Sequence, residues 1–290
     1  MEQSSCPYSG AEQNATLFYP AVDNWPEEPR HMVAKGGWAD VDGARLWYQD
    51  SGGSGVPIVL LHAATGSAAS WPYQQERFGK EGYRVIAYSR RGHYRSAVAA
   101  PDKNVSGTAD LLGLARHLEL PPFHLVGTAA GGFTALDFGV SHPELVRSLV
   151  VASSLGGIDE AEFVAATSRL LTPEVMALPP HIRELGPAYR ALNPNGTSRW
   201  MVLERMGAPN PTRLQPKENV LDWRTLRQLK PPALFLTGAA DLLTPPALLA
   251  LLRPHLPNSR YAIIAEAGHS AYWEQPGAFN AAVLSFIARH

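Results

Sequence analysis

Three short stretches of this chain carry residue types that do acyl-transfer and proton-transfer chemistry. The first runs His124-Leu125-Val126-Gly127-Thr128-Ala129-Ala130-Gly131-Gly132-Phe133: an apolar run, a turn dense in small residues, then the start of a helical pattern. A side chain at the apex of a sharp strand-to-helix turn needs small neighbours two residues before and two after it, and Gly127 and Gly131 stand so around Ala129. A helix beginning there aims its positive end, and the free N–H of Ala130, at any oxygen that gains negative charge. A glycine-rich turn of this kind also suits nucleotide binding, and the stretch alone leaves both uses open. The second stretch ends an apolar run with Thr237-Gly238-Ala239-Ala240-Asp241, and the third ends the next run with Ala267-Gly268-His269-Ser270. A single loop aspartate is usually a solvated acid, and a single loop histidine a capping or core residue. Side chains at the carboxyl ends of neighbouring parallel strands converge on one edge of a sheet, however, so Asp241 and His269 together are candidates for a site on the edge that carries position 129.

The elements that must position these residues follow from the apolar pattern. Short, wholly apolar runs at Pro57–Leu61, Arg84–Tyr88, Phe123–Val126, Ser148–Ala152, Ala233–Thr237 and Arg260–Ile264 predict buried parallel strands. Amphipathic stretches at Trp71–Gly79, Gly107–Leu118, Gly131–Ser141, Ala247–Leu252 and Ala278–Ala288 predict the covering helices. Before them, alternation from Trp38 to Tyr48, broken by Asp42-Gly43, predicts a β-hairpin with a tight turn. The fold class is therefore α/β, a mostly parallel, doubly wound sheet. Proline-interrupted helical segments without a strand from 156 to 225 predict an inserted helical cap, with the core at 36–155 and 226–290. Residues 1–35, rich in Pro, Gly, Asn and Glu, predict an arm packed by Phe18, Tyr19 and Trp25.

Composition narrows the function. At 290 residues and 45% hydrophobic content, one large core is affordable, and a net charge of −1 offers no field for nucleic acid. The single cysteine, Cys6, excludes an internal disulfide and a multi-thiolate metal site. His31, His62, His93, His117, His124 and His142 lack ligand spacing, so neither a metal nor another cofactor is expected. No targeting segment or membrane span is legible, which predicts a cytoplasmic protein acting on a small molecule, with no nucleic-acid or membrane partner and a homodimer left open.

From about residue 38 to 290 the chain resembles the α/β-hydrolase superfamily, in its cap-bearing branch. Besides the turn at Ala129, the resemblance rests on Leu60-Leu61-His62-Ala63-Ala64-Thr65, similar to the family's strand followed by His-Gly-x-Pro, with Trp71 after it. It also rests on Arg84 through Ser89-Arg90-Arg91-Gly92-His93-Tyr94-Arg95-Ser96, similar to a strand and its Arg-Gly-x-Gly-x-Ser turn, and on Gly268-His269 through Trp273-Glu274-Gln275-Pro276. The resemblance implies that Ala129 occupies the nucleophile position, that His269 is the general base and Asp241 its orienting acid, and that the backbone N–H groups of Ala64 and Ala130 form an oxyanion hole. Three departures stand out: Ala129 for Ser, Ala63 with Thr65 for the Gly and Pro of the oxyanion loop, and Tyr94 for a glycine.

A methyl group cannot form an acyl-enzyme. Either Ala129 replaces a serine removed to trap substrate, or it is native and the His269/Asp241 pair works as a general base on water or on the substrate's own proton. The cap contributes Phe163, Met176, Tyr189, Trp200, Met201 and Met206, and arginines at 183, 190, 199 and 205 that suit a carboxylate or enolate. Substrate-binding positions are expected at His62, Tyr189, Trp200 and Met201, and the substrate as a small hydrophobic ester, lactone or activated ketone. A cofactor-free lyase, isomerase or decarboxylase using the same pair is a second option, and a non-catalytic ligand-binding pseudoenzyme a third. The retained acid and base count against the third.

Overall fold

The apolar runs that precede the candidate residues become the inner strands of a single sheet. A computed structural model of the chain describes residues 15–21, 25, 28–29, 35–96, 105–207 and 214–290. Its strands are β1 (Thr16–Tyr19), β2 (Lys35–Val41), β3 (Ala44–Asp50), β4 (Pro57–Leu61), β5 (Arg84–Tyr88), β6 (Phe123–Thr128), β7 (Val146–Ala152), β8 (Ala233–Gly238) and β9 (Arg260–Ile264). They lie in the order β1-β9-β8-β7-β6-β4-β5-β3-β2. Only the β2–β3 and β3–β5 pairs are antiparallel. Every residue of β4, β6 and β8 is buried, which is why these strands read as continuous apolar runs.

Successive residues of each strand feed opposite faces. Val59, Leu61, Leu125 and Leu149 pack against α2 (Gly107–His117), α3 (Ala130–Ser141) and α10 (Pro246–Leu252). Ile58, Leu60, Val126 and Val150 face α1 (Pro72–Lys80) and α12 (Pro276–Ile287). Each fully buried Leu or Phe contributes roughly 1.5–3 kcal/mol. The hairpin turns at Asp42-Gly43, whose φ values of 41° and 75° fit the two-residue turn that matches strand twist. Across it, the rings of Trp38 and Trp47 pack edge to face 4.5 Å apart.

Between β7 and β8 lie α4 (Ala161–Leu170), α5 (Pro173–Met176), α6 (Pro180–Glu184), α7 (Pro187–Leu192), α8 (Pro194–Gly207) and α9 (Trp223–Leu226). The prolines that interrupt the pattern open α5, α6, α7 and α8, where a missing N–H costs nothing. A short helix, α11 (Ala271–Glu274), follows the His269 loop.

Strand β1 is the element that the sequence pattern hides. Leu17 and Phe18 are exposed and adjacent, so no alternation appears; the strand exists through its parallel ladder with β9 and the bond from Ala265 N to the Tyr19 carbonyl. Further along the same segment, Trp25 packs edge-on to Tyr189 of α7, and Glu28 pairs with Arg199 of α8. Cys6 and His31 lie outside the described residues. No helix among the described residues is long and apolar enough to cross a membrane.

The strand-to-helix turn after β6 leaves no room for side chains around its apex. A Cβ on Gly131 would overlap the carbonyl of Leu61 at the end of β4, and one on Gly127 would meet the carbonyl of Gly131. Gly131→Ala is therefore expected to cost roughly 2–3 kcal/mol, read as a lower urea midpoint at unchanged slope.

Candidate active site

Ala129 sits between β6 and α3 with φ 49° and ψ −116°, a conformation that non-glycine residues avoid. Its N–H donates to the carbonyl of Ala152 at 3.0 Å, and its own carbonyl accepts from Gly132 N at 3.0 Å and from Ser154 Oγ at 2.6 Å. The Ser154 hydroxyl is thus committed to the backbone. Ala130 opens α3, so its N–H has no partner within the helix and points at whatever occupies the apex. The N–H of Ala64, in the loop after β4, likewise has no acceptor among the described residues.

Asp241 and His269, 28 residues apart, meet at the ends of β8 and β9: His269 Nδ1 lies 3.0 Å from both carboxylate oxygens. Asp241 also accepts from Leu243 N at 2.9 Å, Thr244 N at 2.8 Å and Thr244 Oγ1 at 2.6 Å. Burial alone pushes its carboxyl up, but His269 and the Thr244 donors more than reverse this and hold it at about 2. The Nδ1–H donated to this carboxylate leaves Nε2 of His269 as the basic nitrogen.

Two more carboxyl groups surround His269, and both link it to the cap helices. Glu184, at the end of α6, is 4% exposed; it accepts from Thr65 Oγ1 at 2.8 Å, and its backbone carbonyl accepts from Ser270 N at 3.0 Å. Glu274 is fully buried and accepts from Gly186 N at 2.6 Å, Gly268 N at 3.0 Å and Ser270 N at 3.2 Å. Burial pushes Glu274 up to about 8 and raises Glu184 as well, against the pull of His269, Thr65 and Arg183. For His269, burial favours the neutral ring, but Asp241, Glu184 and Glu274 together reverse this and leave its pKa raised. Glu184 escaped the sequence reading. The one signal pointing to it is Thr65, a hydroxyl where the oxyanion loop of the resembled family carries proline.

The expected substrate-binding residues His62, Tyr189, Trp200 and Met201 each take a place in the packing around the loop after β4 and the His269 loop. His62 is wholly buried and braces the loop after β4: its Nε2 accepts from Arg90 N at 2.9 Å, so Nδ1 carries the proton and donates to the Ala63 carbonyl at 2.7 Å. His93 stacks edge-on to it and reaches the Ala64 carbonyl at 3.1 Å. Burial pulls both rings down, His93 to about 4, so they are neutral scaffolding. Trp200 donates to Ser270 Oγ at 3.2 Å and forms part of the wall between α8 and the His269 loop. Tyr189 is buried under Trp25, and Met201 packs on the second core face. Among the cap arginines, Arg183, Arg190 and Arg199 are bonded to Glu184, the Leu185 carbonyl and Glu28.

The parallel sheet with an acid and a histidine at adjacent strand ends, on the edge that also carries a strained turn at the neck of α3, defines an α/β-hydrolase-fold enzyme. The chain belongs to the alpha/beta hydrolase family, whose sequence profile matches residues 58–282. It is 31% identical over 254 residues, 82% of this chain and 96% of the relative, to BpoC of Mycobacterium tuberculosis, whose name assigns it provisionally to the non-heme bromoperoxidases. It is 26% identical, over 84% of this chain and 91% of the relative, to the 2-hydroxy-6-oxononadienedioate/2-hydroxy-6-oxononatrienedioate hydrolase of Burkholderia vietnamiensis. In fold it is similar to the enol-lactonase of Burkholderia xenovorans LB400, with a TM-score of 0.70 at 24% identity, covering 87% of this chain and all of that one.

Because the carboxyl groups raise the His269 pKa, its basic form grows in only above the usual imidazole range. Glu184→Gln removes one of those negative charges while keeping an acceptor for Thr65. The ascending limb of the kcat/KM profile is expected to move to lower pH in this variant, and an unmoved limb would show that Glu184 does not act on the base.

Proposed function

We propose that this chain hydrolyses a small hydrophobic ester, lactone or activated ketone by base-assisted water attack, without an acyl-enzyme. One observation carries this reading: a buried, hydrogen-bonded His269–Asp241 pair follows β8 and β9 at the same edge of the sheet as a turn after β6 that keeps its strained backbone while offering only a methyl group at its apex. A dyad buried at this cost is hard to account for in a binding module, since desolvating Asp241 and His269 brings nothing unless proton transfer uses them.

In this mechanism the reacting carbonyl rests over Ala129 with its oxygen on the N–H groups of Ala64 and Ala130. His269 Nε2 takes a proton from water as the water oxygen bonds to the carbonyl carbon, and the carbonyl π electrons move onto the held oxygen. Asp241 keeps the ring in the right tautomer and stabilises the imidazolium. The imidazolium then returns that proton to the leaving oxygen, or to the leaving carbon of an activated ketone, as the bond to the carbonyl carbon breaks. Water is consumed and nothing else is required. The relatives named for lactone and oxo-acid hydrolysis support a carbonyl substrate.

The test is a panel of aryl esters, lactones and 1,3-diketones assayed with the native chain, His269→Ala and Ala129→Ser. The native chain is expected to turn over, with a loss of about 10²–10⁴-fold in His269→Ala, and mass spectrometry of quenched reactions should find an acyl adduct only on Ala129→Ser. Turnover confined to Ala129→Ser would instead mark Ala129 as a replaced nucleophile. Loss of a non-hydrolytic product in His269→Ala would favour the lyase or decarboxylase option.

A further inference from the structure

Glu184, the last residue of α6, is 4% exposed and is bonded at both of its ends. Its backbone carbonyl accepts from the N–H of Ser270, the residue after His269, at 3.0 Å. Its carboxylate Oε2 accepts from the hydroxyl of Thr65, the residue after Ala64, at 2.8 Å. One cap residue therefore spans the interval between the loop that carries the candidate base and the loop that carries a candidate oxyanion donor. Those loops leave β9 and β4, which have β8, β7 and β6 between them in the sheet.

The two ends are held differently. On the base side the contact is backbone against backbone: a Cβ on Gly268 would overlap the nitrogen of Gly186 and the carbonyl carbon of Leu185. Gly186 N also donates to Glu274 Oε2, and Glu274 shares the Ser270 N–H with the Glu184 carbonyl. On the other side the Glu184 carboxylate reaches across to one hydroxyl. Threonine leaves φ at position 65 free, where a proline ring would fix it. Gly207 of α8 lies against the Thr65 and Gly66 carbonyls as a packing contact. A hydrogen bond to a buried carboxylate is stronger than a neutral one and sets a direction as well as a distance.

We propose that Glu184 is a positioning residue for the reaction: through Thr65 it fixes the oxyanion loop against the base loop, so that the Ala64 N–H and His269 act on one substrate carbonyl. The cap then does more than cover the site; it supplies the strut that assembles it. This rests on the carbonyl oxygen lying on the Ala64 and Ala130 N–H groups, as above. A donor held in place beforehand needs no rearrangement as the oxygen gains charge, and a displacement of about 1 Å costs about 100-fold in rate. The strut is separate from the effect of Glu184 on the His269 pKa, since the strut needs an acceptor and the shift needs a negative charge.

The test compares Thr65→Val, Thr65→Ser, Glu184→Ala, Glu184→Gln and the Thr65→Val/Glu184→Ala double variant. Amide exchange at Gly66, whose N–H closes a turn onto the Ala63 carbonyl, reads the order of the loop by NMR without any substrate. Thr65→Val and Glu184→Ala are each expected to speed that exchange about 10-fold or more, and the double variant to speed it no further, because both cut one link. Thr65→Ser and Glu184→Gln keep donor and acceptor and are expected to exchange near the native rate. On a substrate from the panel above, Thr65→Val is expected to lose about 10–100-fold in kcat with KM within about threefold, and Thr65→Ser to recover most of the loss. Unchanged Gly66 exchange in Thr65→Val, additive effects in the double variant, or a native kcat in Thr65→Val despite faster exchange overturns the proposal; the last assigns the link to the fold alone. If Glu184→Ala does not fold, the Thr65→Val and Thr65→Ser pair decides by itself. A native chain inert on the whole panel fails the hydrolytic reading and takes the positioning role with it, whereas an active native chain with an indifferent Thr65→Val fails the positioning role alone.

Discussion

The backbone at Ala129 is held at φ 49° because β6 ends one residue earlier and α3 begins one residue later, with no space for a gentler turn. Nearly everything at the candidate site depends on this. The sharp reversal brings Gly131 against the Leu61 carbonyl and so fixes the distance between the ends of β6 and β4, from which the Ala64 loop departs. It also turns the first N–H of α3 outward. A helix entered less steeply would spend that N–H elsewhere and separate Ala130 from Ala64. On the proposed reading, the strain at one residue is what would let two backbone donors on different elements share a target.

Around this fixed point the charges are arranged asymmetrically. On the His269 side, Asp241, Glu184 and Glu274 come from three different segments, and their backbone donors tie the α6–α7 connection to the histidine loop through Gly186 and Ser270. On the Ala130 side stands Arg90 with neutral histidines for neighbours. One side of the candidate site thus carries three carboxyl groups, and the Ala130 side carries the Arg90 guanidinium and the Lys217 ammonium, the latter paired with Asp159.

The parts of this architecture legible in sequence are those set by short-range pattern. Pro57–Leu61, Arg84–Tyr88 and Arg260–Ile264 stand out because strands buried on both faces admit only apolar residues. Asp241 and His269 could be placed because each follows such a run directly. Strand β1 could not, since Leu17 and Phe18 face solvent together and the pairing partner lies some 245 residues further along the chain. Glu184 was hidden for a similar reason: it sits in a five-residue helix whose position over the His269 loop is a long-range fact. His62 was legible as part of the oxyanion loop but not as its brace, a role that depends on the Arg90 N–H arriving from another strand.

The strained turn also bears on how this protein stands to its relatives. Alanine and serine differ by one oxygen atom, and their codons by one nucleotide. Relaxing position 129, through glycine or a looser loop, would recover the energy stored there; this chain carries instead the positive-φ backbone, the flanking glycines and the buried dyad together. On the proposed reading, covalent and non-covalent routes are mutational neighbours on one scaffold, and passage between them would require no rebuilding of the strands beneath.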